Sequence, residues 1–424
     1  MVGFGFDVDR RVLALAFARM ADGVGNSFLI IVLPLYIASG LVSGRTFGLT
    51  ESAIIGIVLS TYGLLNSVSQ PLTGYLSDRT GRRQRFILVG LAILALMNLV
   101  YLVVSSYAAL VGIRVVQGIA VAFIVPASIA LVNELATAGN RGGNMGVYNT
   151  FRLIGFGAGP VVAGAVVAAG PYSGLGLSIS GFDAAFYVAA GTAALSFVLV
   201  AILVSDPETV ERSRKRLRIA VRDPTGETAL DTTFTLGLAS LFMATSIALF
   251  ATLQPQVNVL LDQGSTWFGV QFAAFVLAQV LLQTPIGRAS DHLGRKPFLL
   301  AGLVLLGPTT LVQGFVPTSE LMFLARFAQG VAGAMVFAPA LALAGDLATG
   351  GDSGKRLAVL TMAFGLGIAA GPLLAGFLVP YGFPVPFAFG AGLSIVGLVL
   401  VYTQVEETIG VGTPTETPEP ASRD

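Results

Sequence analysis

Three polar residues stand close together inside the first long apolar run of the chain. Arg19, Asp22 and Asn26 interrupt the run from 12 to 38 at spacings of three and four, which place them on one face of a helix. A charge near the bilayer centre costs about 2.5–3.5 kcal/mol on insertion scales, so such residues indicate function. Asp22 is the only carboxylate deep in any apolar run, and the pattern predicts proton or substrate coupling there. A static Arg19–Asp22 ion pair that stabilises the fold is the alternative.

Three other arginines lie within apolar runs, where a guanidinium keeps its charge. Arg114 shares a helix face with Gln117; it is expected to hold an anionic substrate or tune Asp22, or else to bond to backbone carbonyls. Arg326 occupies the corresponding position later in the chain without a matching carboxylate, which favours a structural role. Arg152 is placed near the end of its run, where a long side chain can reach the membrane surface.

Amide side chains recur at four-residue spacing in two further runs, beside Tyr62 in the first of them. They either line a cavity or hydrogen-bond between helices, and the sequence leaves both open. The predicted cavity-lining residues are Asn66, Gln70, Gln254, Gln279, Gln283 and Arg326.

The composition explains where these residues must lie. Only 11% of the 424 residues are charged, against roughly 25% in soluble domains. Runs of about 20 apolar residues, the length that crosses a bilayer, occur twelve times. They occupy 12–38, 52–73, 86–105, 107–134, 146–169, 182–204, 232–256, 267–286, 298–316, 320–347, 356–379 and 384–404. The fold class is therefore all-α and transmembrane.

Several functional classes are excluded or disfavoured. The chain has no cysteine, which excludes disulfides, zinc–thiolate sites and thiol catalysis. A single histidine, His292, argues against a metal site or a catalytic triad, and a net charge of +1 gives no nucleic-acid-binding field. A phosphate-binding GxxxxGK[ST] loop is absent, so an ATP-driven pump is excluded. We predict no enzyme activity, no cofactor and no metal.

Basic residues predict the orientation. Nineteen lysines and arginines fall between runs on one side, and only Arg45 falls on the other. The positive-inside rule places the basic side, with both termini, in the cytoplasm. The expected location is the cell (plasma) membrane.

The chain repeats itself at an offset of half its length. GYLSDRTGRRQRF at 74–86 recurs as GRASDHLGRKPF at 287–298, RVVQG at 114–118 as RFAQG at 326–330, and GPVVAG at 159–164 as GPLLAG at 371–376. The offsets are 213, 212 and 212. Six spans return the chain to its starting side, so the copies are parallel repeats, and transporters of this type bind substrate between the halves. The expected domains are 1–204, a cytoplasmic surface linker 205–231, 232–405, and a disordered tail 406–424.

The GxLxDRxGRR pattern between runs two and three, which recurs in a weaker form between runs eight and nine, resembles the loop motif of the major facilitator superfamily. The first copy matches that motif in full, whereas the second has Arg288, Ala289 and His292 at its weaker positions. RVVQG resembles the superfamily's span-four motif, in which a membrane arginine is thought to aid proton transfer. GFGAGPVVAG at 155–164 is similar to the Gly-Pro motif of drug/proton antiporters, with Ala163-Gly164 in place of GG. The resemblance implies a twelve-helix secondary transporter of two six-helix repeats.

The resemblance also implies a latch that joins the halves on the cytoplasmic side. Asp78 is expected against the N-terminus of span eleven, where a carboxylate is favourable, and Glu134 is the expected partner of Arg82. The predicted latch residues are Gly74, Asp78, Arg79, Gly81, Arg82, Glu134, Gly287, Asp291, Gly294, Arg295 and Asp346. The predicted close-packing residues are Gly155, Gly159, Pro160, Gly164, Gly371, Pro372 and Gly376.

Three functions remain open at this stage. The first is a proton-coupled exporter of small amphipathic compounds, expected to be a monomer with a small-molecule substrate, protons and the lipid bilayer as its partners. The second is a proton symporter or uniporter for a nutrient such as a sugar or an organic acid. The third is a transporter-like sensor that moves nothing. The sequence does not name the substrate.

Overall fold

A computed structural model describes residues 9–135, 141–174, 177–206, 221–222, 228–347 and 353–408. Twelve helices in these ranges are long and apolar enough to cross a membrane, which confirms the predicted number. Most of the linker 205–231 and of the tail 406–424, with the surface helix and the disorder predicted there, lies outside the described residues.

The helices are labelled by span. The first half contains α1 (Arg10–Ala38), α2 (Glu51–Thr80), α3 (Arg83–Val100), α4 (Tyr107–Glu134), α5 (Arg141–Ala169) and α6 (Gly181–Leu203). The second contains α7a (Thr232–Ala248), α7b (Gln254–Leu260), α8 (Ser265–Leu293), α9 (Arg295–Leu311), α10 (Ser319–Asp346), α11 (Ser353–Leu378) and α12 (Val385–Gln404). Short 3-10 turns follow α3 (Tyr101–Val103), α9 (Val312–Gly314) and α11 (Val379–Tyr381), and a hairpin of β1 (Tyr172–Gly174) and β2 (Leu177–Ile179) precedes α6.

Local chemistry fixes several helix ends. The hydroxyls of Ser106 and Thr318, at equivalent positions of the repeat, cap α4 and α10 by accepting a backbone N–H three residues on, each at 3.3 Å. Gly81 ends α2 with a φ of 67°, in the left-handed region that favours glycine. Pro255 lacks an N–H and its ring crowds the preceding turn. The seventh span accordingly passes through a 3-10 segment, Leu249–Leu253, between α7a and α7b.

The two halves repeat the same packing scheme. In the first half, α1 packs on α5 and α6, α2 on α4, and α3 on α4 and α6. In the second, α7a packs on α11 and α12, α8 on α10, and α9 on α10 and α12. The halves meet along α2 with α11 and α5 with α8, so four helices border the space between them, which we call the cleft.

A carboxylate that follows the sixth helix of each half binds the start of the third. Asp206 accepts the backbone N–H of Gln84, and Glu407 accepts that of Lys296, both at 2.8 Å. Each acceptor lies three residues past α6 or α12, and each donor is the second residue of α3 or α9. A negative charge at a helix N-terminus is favourable. Asp206 and Glu407 therefore have equivalent positions in the two halves, although neither belongs to a repeated sequence motif.

Candidate functional site

Asp22 and Arg19 form an ion pair inside the first half. Arg19 Nη1 donates to Asp22 Oδ2, and the Asp22 side chain is 3% exposed against 14% for Arg19. Asp22 is the thirteenth of the 29 residues of α1, which places it near mid-membrane. Asn26, one turn further along, lines a cavity together with Asp22. The three residues that the sequence grouped therefore lie together.

Arg114 belongs to a separate network of neutral partners. Its Nη1 donates to Gln117 Oε1 at 3.2 Å, and its Nε donates to the Val58 carbonyl at 3.3 Å. The guanidinium stacks 4.3 Å over the ring of Tyr62. Within the described residues Arg114 contacts no carboxylate, so these contacts agree with the alternative of a backbone-bonded arginine.

Asn98 connects this network to α6 and was not anticipated. It accepts from Gln117 Nε2 at 2.7 Å and donates to the Ala189 carbonyl at 3.0 Å. Tyr101 Oη donates to the same Gln117 oxygen at 3.0 Å. Asn98 is the single amide in its apolar run, so it lacks the four-residue spacing that drew attention to the other amides.

Arg326 repeats the position of Arg114 in the second half. It is fully buried and donates to Gln329 Oε1 and to the Ile247 carbonyl, the latter at 3.3 Å. Its guanidinium lies 4.5 Å from the Phe250 ring centroid. Gln254 is likewise fully buried. Both were expected to face a cavity, and that stays a prediction.

Arg152 is the twelfth residue of α5, because the helix begins at Arg141 rather than near residue 146. Polar residues at 141–150 continue the helix beyond the apolar run. The Nε of Arg152 donates to Asn149 Oδ1 at 2.9 Å. That Arg152 reaches the membrane surface stays a prediction.

The amides of α2 lie between its contacts with α4 and α11. On one side an added Cβ at Gly118 of α4 would lie 2.6 Å from the Tyr62 carbonyl oxygen; on the other, an added Cβ at Gly63 would lie 3.0 Å from Ala369 Cβ of α11. At 100° per residue, Asn66 and Gln70 point between these two faces, toward the cleft. Gln70 Nε2 donates to Asn66 Oδ1 at 3.0 Å. Gln279 and Gln283 are half-buried on α8.

The repeated motif between spans two and three forms a charge cluster with an unexpected centre. Arg83 donates to Asp78 Oδ1 at 2.7 Å and to Glu134 Oε2 at 2.7 Å, and its side chain is 5% exposed. The predicted pairing of Glu134 with Arg82 was wrong; among the described residues no ion pair involves Arg82. Two residues, Gly81 and Arg82, separate α2 from α3, whereas only Gly294 separates α8 from α9. Because the first loop is one residue longer, the arginine that corresponds to Arg295 is Arg83 rather than Arg82.

The second copy has the expected members. Arg295 contacts Asp346 at 2.6 Å and Asp291 at 3.3 Å. The first part of each motif, including Gly74 and Gly287, is helical, because α2 and α8 continue seven residues past the predicted runs. Each cluster lies within one half. Asp78 was expected to contact the start of α11. Residues 348–352, which directly precede that helix, lie outside the described residues, so this contact stays a prediction.

The Gly-Pro motifs form the contact between the halves, twice over. An added Cβ at Gly269 would lie 2.3 Å from the Pro160 carbonyl oxygen, and one at Gly56 would lie 2.5 Å from that of Pro372. Gly164 packs against the Ser265 carbonyl, and Gly376, at the equivalent position of the repeat, packs against the Ser52 carbonyl. Gly155, Gly159 and Gly371 instead pack on α1 and α7a. These inter-half contacts lie at the helix ends remote from the termini, so the halves are closed together on that side.

The sequence profile described as Major Facilitator Superfamily matches residues 15–259 and 234–423. The chain belongs to the major facilitator superfamily. Members of this superfamily are transporters rather than enzymes, and the twelve spans make this one an integral membrane protein.

Curated relatives within the superfamily match part of the chain. Multidrug resistance protein 2 of Bacillus subtilis is 24% identical over 181 residues, covering 42% of this chain and 45% of that protein. Tetracycline resistance protein class B of Escherichia coli is 33% identical over 141 residues, covering 33% and 35%. The chain thus matches less than half the length of these relatives.

Solved superfamily structures share the whole fold. A mutant of the peptide transporter POT has a TM-score of 0.74 at 17% identity and covers 94% of this chain and 95% of its own. A bacterial homologue of the human lysosomal transporter Spinster, in an inward-facing and occupied conformation, has a TM-score of 0.72 at 14% identity, covering 92% and 94%. At these identities the likeness concerns the fold alone.

Proposed function

We propose that this protein exports small amphipathic compounds in exchange for protons by alternating access. The observation that carries the proposal is the buried Arg19–Asp22 pair. Among the described residues, Asp22 is the only carboxylate more than six positions from both ends of its helix. A buried carboxylate that can lose its partner is suited to bind and release a proton. Relatives named for multidrug and tetracycline resistance support export as the direction.

The repeated contacts between the halves suit alternating access. Smooth glycine faces at Gly56 and Gly269 allow the halves to close on the side remote from the termini. The charge clusters around Arg83 and Arg295 are intact within each half, so each half can move as a rigid body. The basic loops favour a cytoplasmic position for both termini in the cell membrane. We propose that the transporter works as a monomer and that Asp78 latches the halves against the N-terminus of α11 when the cytoplasmic side closes.

Export is tested with ethidium and tetracycline as probes. Host cells that produce the protein are expected to accumulate less of at least one probe than cells that produce Asp22→Asn, and a protonophore should abolish the difference. Matched production of the two proteins, measured by immunoblot, is the control. Equal accumulation of both probes would contradict export. Net uptake of a sugar or an organic acid under a proton gradient would support the symporter instead.

A further inference from the structure

Asp22 borders two cavities, and both lie within the first half. One cavity is lined by residues of α1, α2, α3, α4 and α6, and the other by residues of α1, α3, α4 and α6. Neither includes a residue of α5 or of the second half. The first half meets the second mainly along α5 and α2, so the two cavities place the carboxylate toward the interior of its own bundle.

The cavity on the side remote from the termini is polar. It has a volume of about 10 Å³, which is room for roughly one water molecule. Tyr62 lines it, and within the described residues its buried Oη lies near Asn26 but makes no well-formed hydrogen bond. Its polar lining residues are Asp22, Asn26, Tyr62, Asn98, Gln117 and Thr192. A water is stable where two to four polar groups surround it, so this cavity can hold one against the carboxylate.

The cavity on the terminal side is mostly apolar. Its polar residues are Arg19, Asp22 and Ser128, and its remaining lining consists of aliphatic side chains such as Leu15, Ile87 and Val200. Two of these three polar side chains, Arg19 and Asp22, are already paired with each other, whereas the other cavity has six polar lining residues. The polar cavity is therefore the better-hydrated approach to Asp22.

Arg19 is the residue that connects Asp22 to the rest of the site. It contacts the carboxylate through Nη1, while its buried Nε has no partner among the described residues. Its side chain is more exposed than that of Asp22, 14% against 3%. Arg19 is also close enough to Tyr148 and Arg152 of α5, a helix that borders the cleft, for their charges to interact. Protonation of Asp22 removes the charge that holds the guanidinium, so it changes the electrostatics at α5.

We propose that the proton site is enclosed in the first half and separate from the substrate site in the cleft. Protons reach Asp22 through the polar cavity, and a substrate senses the protonation state through Arg19 rather than by competing for the carboxylate. This inference rests on the proposed function. It predicts that blocking the cleft leaves the titration of Asp22 intact, whereas filling the polar cavity slows it.

The absence of native cysteines makes the test direct. A single cysteine at Gln70, on the cleft face of α2, is coupled to a bulky maleimide to block the cleft. The carboxylic C=O infrared band of Asp22, assigned by its loss in Asp22→Asn, is followed after a pH jump. In the blocked protein we expect the same midpoint and the same rate as in the unblocked protein.

Two variants probe the cavity. Ala193→Val places bulk in the polar cavity and is expected to slow titration about tenfold, since a filled cavity holds no water. Its control is Ala391→Val, a buried alanine on α12. Thr192→Val changes one hydroxyl without added bulk and should slow titration to a smaller degree. Its control is Thr309→Val, whose hydroxyl likewise bonds only to carbonyls of its own helix.

The outcomes separate the two claims. Loss of the Asp22 band change on blocking the cleft, with normal titration before blocking, overturns the enclosed site and leaves the proposed function standing. Unchanged rates in both cavity variants also overturn the enclosed site. If no Asp22 band titrates in the unblocked protein, the proposed function fails and this inference fails with it.

Discussion

Gly269→Ala is expected to shift the protein away from the closed contact on the side remote from the termini. The new methyl group would lie 2.3 Å from the Pro160 carbonyl oxygen, which is backbone and cannot rotate away. Overpacking of this kind costs about 1–3 kcal/mol, which corresponds to a population shift of roughly 5- to 150-fold. Gly56→Ala, which meets Pro372 at 2.5 Å, should act in the same direction.

The shift is measured by electron–electron resonance between spin labels at Glu51 and Tyr381, exposed residues near the meeting ends of α2 and α11. We expect a longer label distance in both alanine variants. Gly191→Ala and Gly392→Ala are the controls, because an added Cβ meets nothing within 4 Å at either position. Distance distributions that match the wild type in both test variants would show that these glycines do not set the conformation.

Arg83→Ala is expected to destabilise the first half far more than Arg82→Ala. Arg83 is buried between two carboxylates, and its loss leaves Asp78 and Glu134 facing one another without a counter-charge. Removing one partner of a buried ion pair costs about 3–5 kcal/mol; the partial exposure of Asp78 reduces this to roughly 2–3 kcal/mol. Surface substitutions such as Arg82→Ala usually stay within about 0.5 kcal/mol.

Thermal unfolding of the purified variants in detergent provides the comparison. Arg83→Lys is the matched variant that keeps the charge but loses the bidentate contact with Glu134, and it should fall between wild type and Arg83→Ala. Equal losses for Arg82→Ala and Arg83→Ala would contradict the assignment of Arg83 as the centre of the cluster.

The fold could be predicted from the sequence because its signals are redundant. Twelve apolar runs give the spans, and repeated motifs at a constant offset give the two halves. Helix ends were less predictable, since the charged residues of Gly74–Thr80 continue α2 beyond the apolar run. The offset between repeated motifs changes from 213 to 212 along the first half. This change shows that the loop between α2 and α3 is one residue longer than that between α8 and α9, and it was the one sequence signal that Arg83 corresponds to Arg295.

The site was predictable only where charge marks it. Arg19, Asp22 and Asn26 are conspicuous within an apolar run, and the structure brings them together. Asn98 carries no such mark, and its contacts with Gln117 and Ala189 depend on how helices distant in sequence pack. Nor could spacing alone reveal that Asp22 faces the interior of its own half, because that direction is set by α3 and α6.

The central claim is that Asp22 couples transport to protons. Ethidium flux in proteoliposomes under an imposed pH gradient tests it most directly, with Asp22→Asn compared against wild type and against Asp262→Asn, an exposed carboxylate at a positive φ that asparagine tolerates. We predict gradient-driven flux in wild type and Asp262→Asn, and flux in Asp22→Asn that no longer responds to pH. Flux in Asp22→Asn with the pH dependence of the wild type would contradict the account.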